Sequence, residues 1–162
     1  NEHDITDYDW DGFFKANPQY NSENSLLFLD DHVDFHTRID FILSSPFKYV
    51  VDEDNYPPDQ GDCATPKKIL ESKKYVIDVA GNRTWHQFEE GVKSQFENSI
   101  VHYEELPPIY RIDKTRWGNS GENYKIPEAH FEFDYFQDDL INQEMFDYTW
   151  ICFIEFIDNK SI

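Results

Sequence analysis

Hydrophobic and polar positions alternate along much of this chain. Over residues 33–43, Val33, Phe35, Thr37, Ile39, Phe41 and Leu43 alternate with Asp34, His36, Arg38 and Asp40. A period of two puts one set on each face of a strand. The wider stretch 26–43 (LLFLDDHVDFHTRIDFIL) also admits a helix, because Asp30 or Asp31 fits an N-cap. The alternation favours a strand for at least 33–43. Ser44-Ser45-Pro46 is a turn and Phe47–Val51 reads as a second strand, so the two are expected to form a hairpin.

Further along, residues 52–68 carry Asn55-Tyr56-Pro57-Pro58, Gly61 and Pro66, which are turn formers, and read as a loop. Tyr75–Val79 is a short strand ending at Gly81-Asn82. Thr84 fits an N-cap with Gln87 placed for a capping box, and Trp85, Phe88, Val92 and Phe96 recur at helical spacing. The clearest helix is therefore expected over 84–98, with Gly91 costing it about 1 kcal/mol relative to alanine. Ile100–Glu104 and Ile109–Asp113 read as strands, 114–127 as a polar loop, and Phe131–Tyr135 as another strand. Thr149–Ile157 is apolar on both faces, which marks a central strand. Residues 1–24 form a polar arm in which Trp10, Phe13 and Phe14 make a short helical turn that docks on the core and ends at Asn17-Pro18. The sum predicts one α+β domain over 1–162: a mainly antiparallel sheet, one clear helix and one or two minor ones.

Composition adds a different message. Hydrophobic residues are only 39% of the 162, but 14 Phe, 10 Tyr and 4 Trp supply large buried areas. The net charge is −19. Residues 1–62 hold 15 acids against 3 bases, residues 63–125 hold 9 against 10, and residues 126–162 hold 9 against 1. The acidity thus sits at both ends. It exceeds what solubility needs and points to an electropositive partner. It argues against direct contact with nucleic acid or anionic membrane, both of which require basic patches. No stretch is long enough to span a membrane, and a cytoplasmic protein is the expectation. Cys63 and Cys152 form no metal pattern and are expected to be free thiols.

Candidate chemistry is sparse. Asp7, Asp9, Asp11 and Gly12 match the opening of an EF-hand loop, but the ninth and twelfth positions are Lys15 and Pro18, which supply no ligand. His32, Asp34 and His36 have ligand-like spacing on a strand, yet a solvated polar face explains them as well. Adjacent acids such as Glu89-Glu90, Glu104-Glu105 and Asp138-Asp139 point to opposite faces of a strand. His86 and His102 have no nucleophile motif beside them. No metal, cofactor or enzymatic activity is expected. Three acidic-aromatic clusters remain: Asp30, Asp31 and Asp34; Asp52, Glu53, Asp54 and Tyr56; and Asp134, Asp138 and Asp139. Carboxylates steer a basic partner and pair its Lys or Arg, while aromatics serve as anchors.

In its acidity, aromatic content and lack of catalytic motifs, carried by Asp30-Asp31-His32, Asp52–Tyr56 and Phe131–Asp139, the chain resembles the immunity proteins of bacterial contact-dependent inhibition and polymorphic toxin systems. The resemblance implies a partner in the form of a cognate basic toxin domain, often a nuclease, whose active surface is covered. The alternative is a DNA mimic of the anti-restriction type, whose carboxylates imitate duplex phosphates. Lys67, Lys68, Lys73 and Lys74 interrupt such an array. A metal-binding or enzymatic accessory domain is a further alternative. The sequence does not set the oligomeric state.

Overall fold

The computed structural model describes residues 4–21, 23–108, 128–129 and 150–157. The expected strands at 109–113 and 131–135, the polar loop at 114–127, and Asp134, Asp138 and Asp139 lie outside the described residues. What is described is an α+β arrangement with two sheets. The larger has the order β1 (Leu26–Leu29), β2 (Tyr49–Asp52), β6 (Cys152–Phe156) and β5 (Ile100–Glu105). β1 and β2 are parallel; the β2–β6 and β6–β5 pairs are antiparallel. The apolar run around Cys152–Phe156 is central in this sheet, as its two-sided hydrophobicity predicts. No helix among the described residues is long and apolar enough to cross a membrane.

The segment 33–43 is not a strand. It forms a 3-10 turn, Phe35–Thr37, followed by helix α2, Ile39–Ser44. Phe35 and Ile39 satisfy both a period of two and a helical repeat. Ile42 satisfies only the helix, and all three are about 1% exposed. Burying that one face requires three residues; the strand face would have had to bury six, of which Val33 and Thr37 are exposed. The expected hairpin with 47–51 is accordingly absent. α2 instead lies in the crossover that allows β1 and β2 to run parallel.

The region 84–98 splits in the same way. Asn82–Gln87 is β4, which pairs with β3 (Lys74–Val79), and helix α4 spans Val92–Ser99. The turn between the strands has Ala80 at φ 52° and Gly81 at φ 83°. Two consecutive positive φ values give the twist that closes a two-residue hairpin. Trp85, expected on the helix core face, is 66% exposed. Gly91 does not weaken the helix interior, because it stands just before it at φ 96°. Val92 and Phe96, four apart, face the core.

Inner-face residues Leu27, Leu29, Val50, Cys152, Ile154 and Phe156 meet Phe35, Ile39 and Ile42, with Ile69 from α3 (Pro66–Glu71) and Phe96 from α4. Helix α1, Trp10–Ala16, sets the Trp10 and Phe14 rings 4.9 and 5.7 Å from Phe47.

The connection from β2 to α3 is the largest departure from expectation. It was expected to be a loop, and loops ordinarily run over the surface. Here Asp54–Pro58, Gln60, Gly61 and Cys63–Thr65 are buried. Their polar groups are met inside the protein. Thr65 Oγ1 donates to Tyr56 O (2.7 Å) and accepts from Lys68 N (3.1 Å). Asn55 accepts from Lys67 N and donates to Tyr103 Oη, both at 2.8 Å. Pro58 O and Gly61 O accept from Val76 N and Asp78 N of β3. Lys68, fully buried, donates Nζ to Cys63 O (2.6 Å) and Val76 O (2.9 Å), and burial lowers its pKa to about 8. The connection thus ties the β3–β4 hairpin to the rest.

Gly61 is where this packing is tightest. It has φ 77°, and a Cβ there would stand 2.4 Å from the Tyr56 ring. Gly81 has a similar φ with nothing within 4 Å of such a Cβ. Gly61→Ala is expected to cost about 3 kcal/mol, strain plus overpacking, and Gly81→Ala about 1 kcal/mol, strain alone. Urea unfolding of both variants measures the difference; equal losses would mean that Tyr56 is not locked beneath Gly61.

Candidate functional site

Parallel pairing has a simple geometric result: the carboxyl ends of β1 and β2 leave the sheet side by side. Leu29 is in register with Asp52, and Glu53 N donates to Leu29 O at 3.0 Å. Asp30, Asp31 and His32 therefore emerge beside Glu53 and Asp54. Two of the three acidic clusters expected from the sequence become one.

Within this rim the residues do different work. Asp31 is committed locally: it accepts from Val33 N at 3.1 Å and from Arg38 Nη2 at 2.6 Å. Arg38 is buried, and its Nη1 reaches Asp4 at 2.5 Å. That bond and those from Thr6 hold the Asp4 carboxyl well below its usual range. Asp34 accepts from Ala64 N at 2.6 Å and anchors the buried connection. Asp30 is exposed. His32, in a left-handed conformation at φ 51°, places Nδ1 3.1 Å from Asp54 Oδ2 and 3.2 Å from Asp62 Oδ1.

Asp52 faces inward, in register between Leu29 and Cys152, both buried. Desolvation raises its pKa well above the usual carboxylate range, and the neighbouring charges of Asp54, Asp31 and Glu53 add to the shift. Asp54 is 4% exposed and Tyr56 is 0% exposed. Tyr56 is therefore not a surface anchor as expected; it is a core side chain beneath the acidic rim.

His32, Asp34 and His36 do not converge: the first turns to Asp54 and Asp62, the second to Ala64, and the His36 ring packs on Phe88 at 5.6 Å. Asp9 is the N-cap of α1 and accepts from Gly12 N at 2.8 Å, so the chain is helical where a calcium loop would have to wrap. Glu104 and Glu105 point to opposite faces. Glu104 meets His102 at 3.3 Å, and Glu105 pairs with Lys67. Lys67 also pairs with Glu71 at 3.1 Å and lies over the Trp150 ring. Cys63 and Cys152 are free and buried, and burial raises both thiols, which makes them poor nucleophiles.

Lys67 and Lys68 are consequently interior groups. They do not interrupt the acidic surface, contrary to their reading from sequence. Asp62, and the pairing of His32 with Asp54, were missed. They depend on strand register and on the path of the buried connection, which no local spacing encodes.

No family model, curated protein or solved structure matches the chain.

The sign of the Asp52 shift gives a stability test. Its folded pKa lies above the unfolded value, so the folded state keeps a proton that the unfolded chain loses. Stability from this group is full below about pH 4 and falls as pH rises towards the folded pKa. Asp52→Asn, which mimics the protonated acid, is expected to melt higher than the wild type at pH 7.5, with the gap closing near pH 4. Thermal melts across that range check it; a lower melting temperature at both pH values would refute the desolvated-acid assignment.

Proposed function

We propose that this chain is an acidic binding protein that neutralises a basic partner, as immunity proteins of bacterial toxin systems do, and that it acts by occupancy and not by catalysis. The observation that carries this reading is the convergence of Asp30, Asp31, Glu53, Asp54 and Asp62 at the carboxyl ends of β1 and β2. Arg38, Lys67 and Lys68 are buried and committed to internal partners, so they add little to the surface potential there. A toxin nuclease must be electropositive to hold a phosphate backbone. A concentrated negative rim competes for that surface and accelerates encounter. Asp134, Asp138 and Asp139 remain part of the proposed surface on charge alone.

The inward lysines also favour a second reading. With Lys67 and Lys68 removed from the surface, the objection to a DNA mimic rests on the exposed Lys73 and Lys74 alone. The partner separates the two readings: an immunity protein binds the toxin domain encoded beside it, whereas a mimic binds several unrelated DNA-binding enzymes.

Charge reversal tests the location. Asp30→Lys with Glu53→Lys is expected to slow association with the neighbouring toxin domain by at least about tenfold at low salt, with a smaller loss at 0.5 M salt. Glu97→Lys with Glu104→Lys changes the net charge equally, outside the rim, and is expected to have a much weaker effect. Stopped-flow association rates decide it. Equal slowing by both pairs would make the acidity a bulk property and remove the rim as the site.

A further inference from the structure

The geometry points to a divalent-cation site at Asp30, His32 and Asp54. This goes beyond the partner reading and does not depend on it. Among the described residues, Asp30, His32 and Asp54 are the group of three or more such residues that brings its donor atoms together, all within 4.8 Å of one another. The set is mixed, one imidazole nitrogen with carboxylate oxygens, and not a run of acids alone.

Two details separate this arrangement from an ordinary surface ion pair. First, a single ring nitrogen faces two carboxylates at once: His32 Nδ1 lies 3.1 Å from Asp54 Oδ2 and 3.2 Å from Asp62 Oδ1. An Nδ1–H carries one hydrogen and bonds well to one acceptor. The Asp62 contact has hydrogen-bond geometry. A cation held by the His32 ring nitrogen would lie within reach of the Asp54 and Asp30 carboxylates. Donors that neighbour one another on a tetrahedral ion, with bonds of about 2.0 Å, stand about 3.3 Å apart. The 3.1 Å between His32 Nδ1 and Asp54 Oδ2 lies close to that edge.

Second, the donors are held from beneath. The Asp54 side chain is 5% exposed, and its segment is fixed by the Asn55 and Thr65 hydrogen bonds. Asp30 and His32 are exposed and close the site from outside. One buried ligand with exposed partners leaves a path for an ion to enter. Imidazole with carboxylates suits zinc or manganese better than calcium or magnesium, which take oxygen ligands alone.

The experiment is calorimetric titration of the full chain with zinc and, separately, manganese, with calcium and magnesium as comparators. One zinc or manganese ion is expected to bind per chain at micromolar concentrations, with the alkaline-earth ions at least about tenfold weaker. His32→Asn suits the left-handed backbone at that position. Together with Asp30→Asn, an exposed position that leaves the fold intact, it is expected to weaken zinc by at least about tenfold. Three results would overturn the site: no saturable zinc or manganese binding below millimolar concentration, affinity unchanged in both variants, or loss in Asp30→Asn with none in His32→Asn. The last would reduce the feature to acid-cluster attraction without a ring ligand. Because the titration uses the chain alone, a failed partner screen leaves it unaffected, and a failed titration leaves the partner reading standing.

Discussion

Asp54 to Thr65 run through the interior without regular secondary structure, and their backbone polar groups must still be hydrogen-bonded. Each such group left unmet would cost on the order of 1–3 kcal/mol. The side chains that meet them are few: Asn55, Thr65 and Lys68 from the segment and the helix it enters, and Asp34 from the turn after β1. Lys68 is the most demanding of these, because a buried ammonium is costly in itself. Two carbonyls accept from it, and its depressed pKa records the remaining penalty.

The acidic rim follows from that interior. Parallel pairing of β1 with β2 brings the acids to one end of the sheet, but carboxylates in a cluster repel one another. Asp34 to Ala64, Arg38 to Asp31 and Asp4, and His32 to Asp54 and Asp62 fix their positions. Asp52 bears the cost most visibly, since its ionisation is opposed by burial and by three neighbouring acids.

Much of the architecture was legible in the sequence, and the misses have physical causes. The β3, β5 and β6 strands were legible as short segments rich in β-branched and aromatic residues. Residues 33–43 failed because positions 35 and 39 fit both periods and Ile42 was the deciding residue. The helix expected over 84–98 begins only at Val92, because Ala80-Gly81 is a weaker hairpin signal than Asn-Gly, and because Val92 and Phe96 extended the helical spacing backwards onto a strand. The acids at 30–31 and 52–54 were legible as candidates; their meeting was not, because it depends on parallel register across an intervening helix. Tyr56 looked like a surface anchor because its neighbours are acidic and turn-forming. Only the three-dimensional path of the chain shows it facing Gly61.

Hydrogen exchange on the native chain tests the buried connection most directly. The amides of Ala64, Lys67 and Lys68, bonded to Asp34, Asn55 and Thr65, and that of Val76, bonded to Pro58 O, are predicted to be protected as strongly as the β6 amide of Ile154. Exchange of these four amides as fast as an exposed loop would mean that the connection opens without global unfolding. The acidic rim would then have no rigid support.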